Sequence, residues 1–371
     1  MYLQEKRFGF SHKQMDTFSS LDGLRFRRKF GETDGKRDEE KRWSQDEEYF
    51  RSYADVSVHE EMLSDTVRTN AYRYAILKNY EKIRGKIVAD IGAGTGILSV
   101  FCVHAGAKKV YAIEASDMAE QTQRLVEENK MEDRIDVIQN KIEDVEFPEE
   151  LDVIVSEWMG YCLFYESMLP SVLHCRDKWL KKDGLMLPSI ANLYLAPFFD
   201  EDYDNRLDFW TEIKSVYKVS MESMKPYAQK CIASHVHVNC MPPESVQAHA
   251  HVIKRLDLKH VPISDLQKVK SDFIFRCFGH SEIHGFITWF TVDFPDSISL
   301  TTSPYTEDTH WAQCQFYLDA PEKVKQDTTI TGTFSLTPNK DKPRFLDINI
   351  EYQFDSGPRR HKYYYMNDCI T

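Results

Sequence analysis

Residues 87–96 read Ile-Val-Ala-Asp-Ile-Gly-Ala-Gly-Thr-Gly, and the run Ile97-Leu98-Ser99-Val100-Phe101 follows at once. A β-branched apolar stretch that breaks into three alternate glycines and then turns helical predicts a strand, a tight turn and a helix. The glycines admit a ligand close to the backbone, and the helix start offers unpaired N–H groups. Glu114 closes the next strand-like run, Val110-Tyr111-Ala112-Ile113. A carboxylate there suits the two hydroxyls of a ribose. The spacing is G-x-G-x-G, tighter than the G-x-G-x-x-G that cradles a pyrophosphate. It suits S-adenosylmethionine, which carries ribose and adenine but no phosphate. The alternative is a strand-to-helix turn that holds no ligand.

Outward from this run, strands are expected at 87–91, 110–114, 134–139 and 151–156, with helices near 97–105, 116–129 and 167–181. Such alternation predicts a parallel sheet with right-handed crossovers, whose ligands sit at the carboxyl ends of the strands. Asp90, Glu114 and Glu157 fall at those ends and Glu143 follows the third strand, so one edge is expected to gather carboxylates that Arg68 complements. Upstream, a helix through His59–Tyr74 is expected to bury Leu63, Val67, Ala71 and Tyr74, with His59, Met62, Asp65 and Arg68 winding along its other side.

Past Leu187-Pro188 the texture changes to strand patterns bounded by Pro, Asp and Gly, such as Phe286–Phe294 and Phe345–Phe354. They predict an all-β barrel or sandwich. Residues 200–230 interrupt it with a helical period of Leu207, Trp210, Ile213 and Tyr217, an apolar face that either packs on the barrel or serves as an oligomerisation arm.

The chain has 371 residues, room for two domains, and its 42% hydrophobic content supports real cores. The division expected is a flexible tail over 1–42, an α/β domain over 43–188 and a β-barrel domain over 189–371. No apolar run approaches a membrane span, and the opening Met-Tyr-Leu-Gln-Glu-Lys-Arg lacks the apolar region of a signal peptide. Eight cysteines without a C-x-x-C pair read as reduced thiols, hence a cytoplasmic or nuclear location. The net charge of −12 argues against broad nucleic-acid binding and favours basic peptides as partners.

The strongest chemical constellation is Ser156-Glu157-Trp158-Met159-Gly160-Tyr161-Cys162-Leu163-Phe164-Tyr165-Glu166-Ser167-Met168-Leu169. Two carboxylates brought to one edge repel unless a cation lies between them, and a guanidinium satisfies both with its fork of donors. A divalent metal is the rival, but no further ligand stands at suitable spacing. The paired acids of a glycosidase are a weaker rival, since that chemistry has no need of the glycine turn. His235-Val-His237 and His249-Ala-His251 share strand faces, yet nothing completes a zinc set, and no metal site is expected. Thr309-His310-Trp311 alone reads as an ordinary turn.

Taken as a set, Tyr49-Phe50-x-x-Tyr53, the glycine turn, the double-glutamate loop and Thr309-His310-Trp311 closely resemble the type I protein arginine methyltransferases, and within them the branch numbered six in mammals. The likeness runs from Tyr49 to the C-terminus. It implies a Rossmann-like S-adenosylmethionine-dependent methyltransferase domain, then a β-barrel with a helical dimerisation arm at about 200–230, and a homodimer. It also implies transfer of methyl groups to protein arginines, giving monomethyl- and asymmetric dimethylarginine with S-adenosylhomocysteine as by-product. Histones or RNA-binding proteins with Arg-Gly segments are candidate substrates.

By the same resemblance Arg68 pairs with the donor's carboxylate, His59 lies beside the donor, and Gly92 and Gly94 line it. Glu114 takes the ribose, Glu143 the adenine amine, and Tyr49 and Tyr53 fold over the site. Glu157 and Glu166 clamp the substrate guanidinium near Met159, and His310 approaches Asp65. Met62 stands where symmetric dimethylators carry a bulkier aromatic. Ala89 departs from the larger aliphatic usual in the glycine-turn strand. Two other readings remain: a weak paralogue that regulates an active partner, opposed by the intact Glu157, Glu166 and His310, and a nucleic-acid methyltransferase, opposed by the acidic charge.

Overall fold

A computed structural model describes residues 44–367; the tail expected over 1–42 lies outside the described residues. Four helices open the described residues: α1 (Gln45–Ser52), α2 (Val56–Ser64), α3 (Thr66–Lys78) and the single turn α4 (Tyr80–Ile83). Ser44 and Glu47 start α1 with a reciprocal capping box. The helix expected through His59–Tyr74 is broken at Asp65, which ends α2 and caps α3 by accepting the Arg68 N–H at 2.9 Å. An Asp side chain competes for backbone N–H groups, so it favours a cap over a helix interior. The break overturns the expected core stripe. Leu63 and Tyr74 are exposed, whereas Tyr72, Ala75 and Ile76 are buried together with His59, Asp65 and Arg68.

The α/β alternation follows as β1 (Ile87–Ile91), α5 (Ile97–His104), β2 (Lys109–Glu114), α6 (Met118–Glu128), β3 (Ile135–Gln139), β4 (Leu151–Val155), α7 (Leu169–Trp179) and β5 (Leu180–Leu187). These strands form one parallel sheet in the order β3-β2-β1-β4-β5. All five residues of β1 are buried, as a central strand covered on both faces requires. The strand order reverses beside β1, and a crevice opens there at the carboxyl ends.

The remainder is β6 (Ile190–Phe198), α8 (Tyr203–Tyr217), α9 (Lys225–Ser234), β7 (Val236–Asn239), β8 (His251–Asp257), β9 (Val269–Arg276), β10 (Ser281–Phe294), β11 (Ile298–Thr301), β12 (Gln313–Val324), β13 (Thr329–Pro338), β14 (Leu346–Phe354) and β15 (Arg360–Met366). Two antiparallel sheets result, β7-β12-β10-β6-β8 with β11 on β10, and β15-β14-β13-β9. Strand β8 lies beside β9 and β7 beside β15, so the sheets meet at both edges as a barrel. In β14 every second residue is buried, the alternation of a wall with one wet face. One core runs from the parallel sheet into the barrel.

Helix α9 packs on β12 of the barrel and α8 packs on α9. Of α8 only Tyr203 is buried, and Phe209, Val216 and Tyr217 are exposed. No helix among the described residues is long and apolar enough to cross a membrane.

Gly285 is one of the places where the barrel wall leaves no room for a side chain. A Cβ there falls 2.1 Å from the Phe316 carbonyl oxygen on β12, with backbone on the far side rather than a yielding side chain. Gly285→Ala should therefore cost ~3 kcal/mol and lower the melting temperature by several degrees. Gly279→Ala, with open space around its Cβ, serves as the control in the same thermal melt and should differ little from wild type.

Candidate active site

A cleft opens at the carboxyl ends of β1, β2 and β4. Its floor is the turn after β1. Gly94 has φ +55°, and a Cβ there would approach the His59 ring to 3.1 Å; at Gly92, φ +72°, a Cβ would collide with the end of Met168. Glycine lets this turn fold back beneath its neighbours. Glu114, at the end of β2, is locked by two backbone donors: the Gly94 N–H reaches Oε2 and the Ser116 N–H reaches Oε1, each at 2.8 Å. Glu143 lies on the same wall and accepts the Ser171 hydroxyl at 2.6 Å.

Asp90 departs from the expected carboxylate edge. It is wholly buried, accepts the Ser99 hydroxyl at 2.7 Å, and is not part of the cleft wall. Burial, only partly offset by the Ser99 hydrogen bonds, pushes its carboxyl up to about 7.

Residues 157–168 form a folded-back loop over the other end of the cleft. The Met168 N–H returns to the Trp158 carbonyl and the Gly160 N–H to that of Leu163. Cys162, Leu163 and Glu166 hold φ of +51°, +68° and +54°, costly conformations for residues with side chains. A Cβ on Gly160 would lie 1.5 Å from the Tyr165 carbonyl oxygen, so this position admits glycine alone.

Glu157, Glu166 and Met159 all stand on the cleft. Of the carboxylates on this edge it is Glu157 that Arg68 meets: Arg68 Nε and Nη2 donate to Glu157 Oε2 at 3.1 and 2.9 Å, both side chains being 8% exposed. Two opposite charges removed from water at such proximity satisfy one another. Glu157 Oε1 also accepts the Met159 N–H, and Arg68 Nη1 donates to the Met62 carbonyl.

Over the mouth lie Tyr49 and Tyr53, ring centres 4.6 Å apart, with the Tyr49 phenol pushed up by burial. The His59 Nε2–H donates to the Tyr53 carbonyl at 2.8 Å, which fixes the ring beside the glycine turn. Met62 lines the cleft as well.

The structure brings His310 onto Asp65 as expected. Its backbone N–H and its Nδ1–H both reach Asp65 Oδ2, at 3.0 and 2.7 Å. Burial alone would raise the Asp65 carboxyl, but the donors from His310 and Arg68 outweigh it and hold it below the usual range. The pair stands outside the cleft wall rather than on it. Trp311 beside it donates Nε1–H to the Met159 carbonyl at 3.1 Å.

The paired histidines have other work. His235 and His237 face the Cys231 and Ile232 carbonyls at the end of α9, and among the described residues no cluster is placed to hold a metal ion. Sequence reasoning passed over Lys141, Ser171 and Arg344, all on the cleft. None belongs to a readable motif, and Arg344 sits in a polar turn, Asn339-Lys-Asp-Lys-Pro-Arg344.

A parallel sheet of this order, with a glycine turn after β1 and an acid closing β2, defines a Rossmann-like methyltransferase carrying a β-barrel. Comparison with known proteins narrows the class. Residues 68–178 match the family model of ribosomal protein L11 methyltransferase, and residues 189–357 match the arginine methyltransferase oligomerization subdomain. The chain is 49% identical over 334 residues to protein arginine N-methyltransferase 6 of Xenopus tropicalis, which covers 89% of this chain and 98% of that protein. The Trypanosoma brucei PRMT1 enzyme–prozyme heterotetrameric complex with AdoHcy superposes with TM-score 0.77 at 31% identity, over 85% of this chain and 100% of that one. Arabidopsis thaliana protein arginine methyltransferase 10 superposes with TM-score 0.75 at 32% identity, over 86% and 100%. This chain belongs to the protein arginine N-methyltransferase family, enzymes that take their methyl group from S-adenosylmethionine. The likeness read from the motifs, including its leaning toward the sixth branch, is borne out.

The Asp90 carboxyl makes stability depend on pH. Its folded value of about 7 exceeds the usual 3.8, so the folded state binds more protons than the unfolded one between those limits. Stability from this group is present at low pH and is lost as pH rises through about 7. Asp90→Asn removes the dependence. Chemical unfolding at successive pH values should show the variant gaining on wild type between pH ~4 and ~7, by at most ~4 kcal/mol. A constant gap would contradict the assignment.

Proposed function

We propose that this chain methylates arginines of basic proteins to monomethyl- and then asymmetric dimethylarginine, using one cleft for donor and acceptor. The observation that carries the reading is that Glu157 and Glu166 share a cavity with the glycine turn and Glu114. A nucleoside end and a guanidinium end are thereby joined.

The residues present fit the donor. The glycine cradle has no room for a Cβ at Gly92, and the Glu114 carboxylate is pre-oriented by two N–H groups. Glu114 takes the ribose hydroxyls, Glu143 the adenine amine, and Arg68 the terminal carboxylate. His59, Gly92 and Gly94 line the donor site, and Tyr49 and Tyr53 close it. S-adenosylmethionine supplies an electrophilic methyl on a sulfonium centre.

Most of the acceleration then comes from holding the acceptor nitrogen in line. Glu157 and Glu166 draw the guanidinium charge toward one terminal nitrogen and leave the other more nucleophilic. With a pKa above ~12 the guanidinium keeps its proton until the bond forms. We assign the acceptance of that proton to Glu166, which lines the cleft, while the His310–Asp65 pair steadies the start of the helix that carries Arg68. For Glu157 to hold substrate, Arg68 yields the oxygen it occupies and turns to the donor's carboxylate. Met62, unbranched and flexible, leaves space for monomethylarginine to return for a second methyl on the same nitrogen.

The division at 188 into an α/β and a barrel domain, a homodimer formed through α8, and a cytoplasmic or nuclear location belong to the same reading. The exposed face of α8 and the acidic charge support the dimer and the basic substrates respectively. Histones and Arg-Gly-rich RNA-binding proteins are the substrate classes that follow.

The test is radiolabelled S-adenosylmethionine with an Arg/Gly-rich peptide, followed by acid hydrolysis and amino-acid separation. Wild type should yield asymmetric dimethylarginine, and Glu157→Gln should lose ~100-fold or more of the rate while still binding the donor. Label in the symmetric isomer, or a Glu157→Gln enzyme of near wild-type rate, would contradict the reading.

A further inference from the structure

Helix α1 is fastened at the cleft mouth by Arg344 and Lys141, which belong to none of the motifs. Arg344, in the turn between β13 and β14, lies with its guanidinium carbon 3.6 Å from the centre of the Tyr49 ring. Its Nη2 and Nε reach Asp46 Oδ1 at 2.9 and 3.0 Å. Its backbone N–H donates to Gln45 Oε1, and its carbonyl accepts the Glu166 N–H. From the opposite wall Lys141 reaches Asp46 Oδ2 at 2.7 Å and covers the Phe50 ring at 5.1 Å. One carboxylate on α1 is therefore shared by a cation from the barrel and a cation from the α/β sheet.

Helix α1 needs such anchors. It has eight residues, of which only Tyr49 is buried. A helix so short is unstable by itself and takes its place from what it touches. At its far end it is tied by the Tyr53 carbonyl, which accepts from His59 and from Ser116. At its near end the guanidinium of Arg344 supplies both a planar face for the Tyr49 ring and a fork for Asp46, a combination that lysine cannot reproduce.

We propose that Arg344 is a positioning residue that latches α1, and with it Tyr49 and Tyr53, over the cleft. Opening the latch admits donor and releases its demethylated product; closing it sets the aromatic wall against the ligand. The same residue holds the Glu166 backbone through its carbonyl, so lid and acceptor loop are carried by one turn of the barrel. Side-chain substitution leaves that carbonyl bond in place, and the variants therefore report on the lid. The inference rests on the cleft being the donor site.

The experiment uses the full chain. Isothermal titration with S-adenosylhomocysteine is run on wild type, Arg344→Ala, Arg344→Lys and Asp46→Asn, alongside hydrogen exchange resolved by peptide. Arg344→Ala should bind about tenfold more weakly and release faster, with Arg344→Lys and Asp46→Asn between it and wild type. Exchange should rise across residues 45–53 and stay unchanged in β13 and β14, and the donor KM should rise more than kcat falls. A purely structural role would lower the melting temperature and the active fraction while leaving affinity and α1 exchange alone, and that result overturns the proposal. Wild type failing to bind S-adenosylhomocysteine would instead overturn the reading of the cleft. Should Arg344→Ala not fold, unchanged affinity and exchange in both Arg344→Lys and Asp46→Asn overturn the latch.

Discussion

The buried pair of Arg68 and Glu157 is the interaction on which the site depends. Each charge withdrawn from water costs several kcal/mol unless it is met by an opposite charge and hydrogen bonds. Here every neighbour contributes. Arg68 Nη1 reaches the Met62 carbonyl, Glu157 Oε1 takes the Met159 N–H, and Asp65 caps the helix that carries Arg68. From Asp65 the connection passes to His310, then along the chain to Trp311, whose indole returns to the Met159 carbonyl. The circuit joins α2 and α3, the loop after β4 and the strand start of β12. Loss of Arg68 or Glu157 leaves the other's charge buried and unmet, so the two halves of the protein are held in register by polar contacts as well as by their shared core.

This arrangement explains why the loop after β4 tolerates strain. Three side-chain-bearing residues sit at positive φ, and the loop keeps that form because its ends are tied to each other and Glu166 is tied to the barrel through Arg344. Strain of this kind persists where surrounding contacts over-determine the backbone. The result is two carboxylates presented to one cavity by a segment with little freedom to relax. Preorganisation of that sort is what stabilising a charged reaction centre requires.

How far the molecule could be read from its sequence follows from how local each signal is. The central strand β1 was legible because burial on both faces demands a continuous apolar run, and its glycine turn and Glu114 are set by chain geometry over a few tens of residues. The barrel was announced by β-rich texture, a near-continuous buried run in β10 and strict alternation in β14. The break at Asp65 was not legible: within a helical period an Asp looks like a solvated residue, and its role depends on His310, 245 positions away. Strand β5 was hidden by Lys181, Lys182 and Asp183 at its polar start. Arg344 carries no signal at all, since its partner Asp46 is 298 positions distant. Arg68 was legible as the complement of a carboxylate edge that includes Glu157, but which carboxylate it meets depends on contacts 89 positions apart in the chain.

The central claim is that Glu157 serves two cations in turn, Arg68 and a substrate guanidinium, and that the donor's carboxylate decides between them. The direct measurement is the affinity of an unmodified Arg/Gly peptide with and without saturating S-adenosylhomocysteine, by isothermal titration. The account predicts tighter peptide binding when the nucleoside is present, because Arg68 then has another anion, and no such gain in Glu157→Gln. Equal peptide affinities in the two conditions for wild type would contradict it.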